Sequence, residues 1–263
     1  MQTFLPYADF RQSAAALDPS RLGKQRVETL QILRALVIPD YGWRSHPATR
    51  MWMGYVPALT RYGLAMVDEW VQRGGSDSTR ANILEFAPDV GARDPDQVPV
   101  PPWLGDPDFH LRHRSRLISK SPDFYKDLFP GTPANLEYVW PEPEHVLLPE
   151  DPPEPRLWIL RADIADPDDS LPDNSLQTIS LPQPRLAASP KYRRQLDAFI
   201  AMQPGDDVAI PLEGGRRFAV GRIQDGDSAP SYRWRLDEIL DRSAFTYPAL
   251  LQDPRLFFPV PAP

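Results

Sequence analysis

The chain has 263 residues, 41% hydrophobic and 25% charged, with a formal net charge of -7, which is ordinary for a globular protein and long enough for two domains. It has no cysteine, which excludes disulfides and thiolate chemistry, and its four histidines (His46, His110, His113, His145) show no zinc-ligand spacing, so neither a metal nor another cofactor is expected. No apolar run approaches membrane-spanning length and residues 1–6 lack the basic and apolar regions of a signal peptide, so a cytoplasmic protein with no membrane partner is expected; a monomer is the separate expectation for its assembly.

The first predicted element is a short helical turn over residues 10–17. A longer helix follows to about residue 37, with a hard start: Asp18 can cap its free amides and Pro19 suits the first helical position. At 100° per residue Leu22, Leu30, Leu33, Leu36 and Val37 fall on one side, and Arg21, Lys24, Gln25 and Glu28 on another. Residues 39–42 read as a turn, 57–73 as a helix ending at Gly74-Gly75, and 78–86 as a short helix. Residues 88–107 are rich in Pro, Asp and Gly and read as loop; 108–120 read as a basic helix and 122–129 as a short segment. Residues 141–155 contain six prolines and five acids, the composition of a stiff, extended linker. Beyond it the pattern turns to strands over 156–162, 207–212, 217–223 and 231–236, with a helix over 190–202 and a hairpin signal at Glu213-Gly-Gly215. The expected organisation is an all-α domain over 1–140, a linker over 141–155 and a mostly β domain over 156–263.

Charge is uneven along this plan. Residues 1–140 hold 16 Lys+Arg and 16 Asp+Glu, whereas residues 141–263 hold 13 and 20, so the whole net charge lies in the second part. Within the first part, residues 1–60 carry seven basic and four acidic side chains, and residues 110–126 carry five and one. A neutral domain with two basic patches can bind phosphates although the total is acidic.

Four constellations bear on chemistry. In the first, Glu28 sits among Arg21, Lys24, Gln25 and Arg26. A fixed carboxylate can stabilise the positive charge that develops on a sugar when an N-glycosidic bond breaks, and the cations can hold flanking phosphates; the alternative is a solvated helix face with ion pairs at four-residue spacing. Arg26 falls near the apolar stripe and needs an anion partner if buried. In the second, Trp43, Arg44, His46 and Arg50 are the right types for phosphate contact and stacking, against a structural loop in which His46 satisfies a backbone carbonyl. In the third, Arg112, Arg116 and Lys120 recur every four residues, as do His110 and Arg114, and can follow a DNA backbone, against a solvated face. In the fourth, Trp158, Arg161, Tyr232 and Trp234 can line a pocket for a flipped base, against core packing. No phosphate-cradling glycine loop and no nucleophile elbow occur in the chain.

Residues 1 to about 130 resemble the pyrimidine-dimer DNA glycosylases of the phage endonuclease V type. The resemblance is carried by Leu17-Asp18, Leu22, Glu28 and Leu30, by Gly42-Trp-Arg-Ser-His46-Pro47, by Arg73-Gly74 and by Pro122-Asp-Phe-Tyr125-Lys126. It implies an all-α fold, double-stranded DNA as partner, base flipping, and Glu28 as the catalytic carboxylate. The family's best-known member uses an N-terminal α-amine freed by removal of Met. Here Gln2 is too large a neighbour for that removal, which makes Met1 the candidate nucleophile; the alternative is water, leaving an abasic site without strand cleavage. Bacterial members often have Trp-Arg before the glutamate, where this chain has Arg26-Val27. Residues 156–259 resemble the PUA-like/EVE-like β-barrel domains, which read modified bases. The matching stretches are Leu157-Trp-Ile-Leu-Arg-Ala162, Met202-Gln-Pro-Gly-Asp206, Phe218-Ala-Val-Gly-Arg-Ile223 and Arg242-Ser-Ala-Phe245.

Together these features lead to the expectation of a two-domain DNA glycosylase, all-α at the N-terminus with an α+β PUA-like barrel behind it. Its expected substrate is a modified pyrimidine, such as hypermodified or glucosylated cytosine in phage DNA, and its expected role is anti-phage defence. Repair of pyrimidine dimers or other lesions, and a non-catalytic DNA-binding module, are the alternatives.

Overall fold

A computed structural model of the chain describes residues 1–162, 176–182, 189–225 and 231–263. These fall into two compact units, Met1–Pro149 and Glu150–Pro263. Part of the stretch that resembles a PUA-like domain lies outside the described residues.

The first unit is helical: α1 (Phe10–Ala15), α2 (Pro19–Val37), α3 (Pro47–Arg50), α4 (Val56–Gln72), α5 (Arg80–Leu84), α6 (Pro107–Lys120) and α7 (Pro122–Tyr125). Helix α2 begins where the Asp-Pro pair dictates. The Asp18 carboxylate accepts from the Arg21 backbone N–H at 3.1 Å and from the Tyr125 hydroxyl at 2.5 Å. Burial works to raise the Asp18 carboxyl, but the bonds from Tyr125 and Arg21 outweigh it and hold the group below its ordinary value. Helices α2 and α4 form the main helix pair of this unit. Gly63 permits their close approach, since a Cβ there would lie 2.8 Å from the Thr29 methyl. Helix α4 stops at Gly74, whose φ of 87° suits glycine. The Gly74 and Gly75 amides donate back to the Val71 and Trp70 carbonyls at 2.9 and 3.0 Å, a Schellman ending. Trp52, Tyr62, Phe109 and Tyr125 are the largest fully buried side chains of the core. The region expected as loop holds only a one-turn 3-10 segment, Pro95–Gln97.

The second unit contains one helix, α8 (Pro190–Ile200), and six strands: β1 (Arg156–Leu160), β2 (Leu176–Ser180), β3 (Asp207–Leu212), β4 (Arg217–Ile223), β5 (Ser231–Asp241) and β6 (Phe257–Pro261). They form one sheet in the order β2-β5-β4-β3-β1-β6. The β1–β3 pair is parallel and the others are antiparallel. Successive residues alternate between two apolar clusters, Leu160, Ile210, Ala219 and Phe257 in one and Ile159, Ala209, Phe218 and Phe258 in the other. The period of two puts the clusters on opposite faces. Phe199 of α8 joins the first cluster, while Phe245 and Leu251 join the second. Both faces are covered over the middle of the sheet, which is why β1, β3 and β4 read as nearly continuous apolar runs, whereas β5 alternates.

This unit is α+β, but the ladder is open: β2 and β6 are its edges, and no pairing joins them among the described residues. The closed barrel expected from the resemblance is therefore not what these strands form. Strands β2 and β6 were also missed by the sequence pattern. β6 carries Pro259 and Pro261, which read as strand breakers but are tolerated on an edge, where half of the backbone needs no ladder partner. Among the described residues no helix is long and apolar enough to cross a membrane.

Candidate active site

The site is built where α2 meets the chain's first residues. Residues 2–7 run through the interior of the helical unit, and side chains take the place of ladder partners. Gln25 does the most. Its amide N–H groups donate to the Gln2 carbonyl and to Glu28 Oε2, each at 3.1 Å. Its carbonyl oxygen accepts from the Phe4 N–H at 2.9 Å and from the Tyr62 hydroxyl at 2.5 Å. The Tyr62 hydroxyl also reaches the Phe4 carbonyl at 3.0 Å, and the Trp52 indole donates to the Thr3 hydroxyl at 3.1 Å. The Leu5 N–H donates to His113 Nδ1 at 3.2 Å, His110 Nδ1 donates to the Leu5 carbonyl at 2.8 Å, and Arg114 donates to the Pro6 carbonyl at 2.7 Å.

This seating brings the start of the chain onto Glu28. The Gln2 backbone N–H donates to Glu28 Oε2 at 3.3 Å. Met1, Gln2, Gln25 and Glu28 then line a pocket of about 240 Å³, together with Phe4, Ser20, Arg21, Lys24 and Lys120. Met1 and Glu28 share the pocket, and no ion pair joins them among the described residues. An amine and a carboxylate can thus both face a reacting sugar carbon. The rim is basic. Lys24 and Lys120 are exposed, with no anionic partner among the described residues, while Arg21 is paired with Asp18 at 2.5 Å.

His46 belongs to the same neighbourhood. Burial draws its imidazole below the ordinary value, the positive Met1 amine draws it further, and the Glu28 carboxylate opposes both. Rather than satisfying a carbonyl, His46 Nδ1 accepts from the Ala48 N–H at 3.1 Å and caps α3. The proton of the neutral ring therefore sits on Nε2. Its ring stands edge-on to Trp43 at 5.8 Å and to Trp140 at 6.0 Å.

The remaining expected DNA contacts divide. Arg44 and Lys126 keep solvent access. Arg50 is half exposed and pairs with Glu142 at 2.7 Å. Arg112 pairs with Asp108 at 2.7 Å, and the Arg116 guanidinium lies over the Tyr138 ring at 5.0 Å. Others do not face solvent as a backbone contact requires. Gln25 is only 1% exposed and holds the N-terminal segment. His110 is buried between the Leu5 carbonyl and the Gly105 N–H. Tyr125 is buried against Asp18. Arg26 finds the anion its position called for, pairing with Asp77 and lying 4.5 Å from the Trp70 ring, so it does not line the Glu28 pocket. Lys120, which recurs at four-residue spacing with Arg112 and Arg116, is brought to this pocket; the sequence pattern missed Ser20 and the run of side chains seating residues 2–7.

Of the four residues expected to form a base pocket in the second unit, Tyr232 and Trp234 are corrected, since both are buried. Trp234 is fully buried and its indole donates to the Val208 carbonyl at 3.1 Å. Tyr232 is buried and donates to the Ile200 carbonyl at 2.8 Å. Trp158 stacks on Phe257 at 4.6 Å, and Arg161 donates to the Leu251 and Asp253 carbonyls at 2.9 Å. Alternation along β5 sends its aromatics into the sheet's own core, which leaves no free ring face for a base.

No curated protein and no solved structure matches the chain. Residues 1–82 match the model of one family, described as pyrimidine dimer DNA glycosylase. That stretch carries Met1, Glu28, Trp43 and His46, and the match supports DNA glycosylase activity and DNA binding for the helical unit.

Proposed function

We propose that the protein is a DNA glycosylase that flips a damaged or modified pyrimidine out of duplex DNA and cleaves its N-glycosidic bond, with Glu28 as the catalytic carboxylate. The observation that carries this reading is the single pocket shared by Glu28 and Met1, rimmed by Lys24 and Lys120. As the C1′–N bond breaks, positive charge develops on the sugar, and a fixed carboxylate stabilises it. The base leaves with the bonding electron pair and takes up a proton. The rim lysines hold the flanking phosphates.

The Met1 α-amine, in its neutral form, is the proposed nucleophile at C1′. Nitrogen bonds to C1′ and its first proton goes to the departing base; the C1′–O4′ bond then breaks, the ring oxygen takes up the second amine proton, and the resulting imine is hydrolysed by water to an abasic site. Borohydride reduces that imine and links protein to DNA, whereas attack by water leaves nothing to trap. Incubation with irradiated and chemically modified duplexes, and weighing of any released base, tests the function.

A narrower reading has the protein excise hypermodified or glucosylated cytosine from phage DNA in defence. It is supported by a second unit with its own core fused to the helical one, and no longer by a reader pocket built from Tyr232 and Trp234. Release of base from modified phage DNA but not from irradiated DNA supports it; the opposite pattern supports dimer repair.

A further inference from the structure

Trp43 is the most exposed tryptophan or phenylalanine among the described residues, at 59%. It also holds a φ of 70°, in the left-handed region that a bulky side chain adopts only at a cost in free energy. Gly42 stands next to it and does not take that conformation, so the chain places the strain on tryptophan and not on the residue that would bear it freely. The Trp43 carbonyl accepts from the His46 N–H at 3.0 Å and closes a tight turn. The turn presents the indole next to His46, the group that shares an electrostatic field with Glu28 and the Met1 amine. Arg44 and Arg50 lie on either side of His46 in the chain. An aromatic ring that is both exposed and strained adds little to the stability of the fold, and cations beside it suit phosphates flanking an opened step.

We propose that Trp43 is the residue that stacks on DNA bases beside the flipped nucleotide, filling the gap left when that nucleotide turns out. The proposal rests on the glycosylase reading for its substrate, duplex DNA with one base out of the stack, but its test needs no catalysis.

The test uses the full chain and a duplex holding one tetrahydrofuran abasic-site analogue, which has no base to release. Trp43→Asn removes the ring and tolerates the left-handed backbone, while Trp43→Phe keeps an aromatic face. Trp43→Asn is expected to bind this duplex about tenfold or more weakly, with Trp43→Phe within about threefold of the wild type. The salt dependence of binding stays the same, because no phosphate contact is lost. The melting temperature of Trp43→Asn without DNA is expected to equal or exceed that of the wild type. Unchanged binding by Trp43→Asn overturns the proposal, and so does weaker binding that tracks a lower melting temperature. Failure of the wild type to release any base, with the tenfold loss still seen, overturns the glycosylase reading and leaves the stacking role standing.

Discussion

The backbone N–H of Leu5 donates to His113 Nδ1 at 3.2 Å, so this fully buried imidazole has to be neutral and protonated on Nε2. Its neighbour His110 takes the other tautomer, because Nδ1 donates to the Leu5 carbonyl and Nε2 accepts from the Gly105 N–H at 3.0 Å. Two histidines three residues apart on α6 thus grip the donor and the acceptor of one residue. Through Phe4, Gln2 and Gln25 the same grip bears on Glu28.

This grip predicts a pH dependence. Burial pushes His113 down to about 3, with His110 adding to the shift, and burial also lowers His110. The unfolded chain therefore binds more protons than the native one between the ordinary imidazole value of about 6.5 and about 3. Stability of the helical unit should be fully present above about pH 6.5 and fall progressively as the pH drops toward 3. Asp18 and Asp77, both held below their ordinary values, add a further loss below about pH 3.8. Chemical denaturation of wild type and His113→Asn across pH 4–8 checks this. Asn can accept the Leu5 N–H without titrating, so its stability should be flatter with pH over the histidine range.

Lys24 and Lys120 line the pocket, exposed and without an anionic partner. If each meets a DNA phosphate, Lys24→Gln and Lys120→Gln should each weaken duplex binding regardless of sequence. Each should also reduce the slope of log affinity against log salt by about 1. Titrations at several salt concentrations give the slopes; unchanged slopes would place the phosphates elsewhere.

The Arg50–Glu142 pair is exposed, and such pairs contribute only about 0.2–1 kcal/mol. A DNA phosphate arriving at Arg50 has to displace Glu142. Glu142→Gln should therefore tighten DNA binding by up to about fivefold, with no change in melting temperature that an ordinary scan would resolve. Arg50→Gln should abolish that gain in the double variant.

Trp234 separates a core role from a reader role. Its indole is enclosed in the sheet and hydrogen-bonded, so Trp234→Ala should cost about 3–5 kcal/mol in the second unit. Denaturation followed by tryptophan-independent circular dichroism measures it, and a variant of undiminished stability would contradict the packing described here.

What could be read from the sequence follows a physical division. The start of α2 was legible because Asp18 and Pro19 act within one turn, and the end of α4 because glycine takes the left-handed conformation at residue 74 at least cost. The company of Arg21, Lys24 and Glu28 on α2 follows from helical spacing. The environment of residues 2–6 was not legible, because its partners lie 21 to 108 positions away. Without those partners, His110 and Arg114 looked like a solvated basic face, and Gln25 like one more polar residue on the outside. Alternation locates β5 but does not say whether the face carrying Tyr232 and Trp234 meets a core or a ligand, and the structure turns it into the core. Proline content hid β6, whose place at the sheet edge only the topology reveals.

The most direct measurement compares wild type and Glu28→Gln on a panel of irradiated and modified duplexes, with released bases identified by mass and DNA binding measured in parallel. The account predicts that the wild type releases a pyrimidine derivative and that Glu28→Gln releases it on the order of 10² or more times slower while binding the same DNA within a few-fold. Equal release by the two proteins, or no release from any duplex by the wild type, would contradict it.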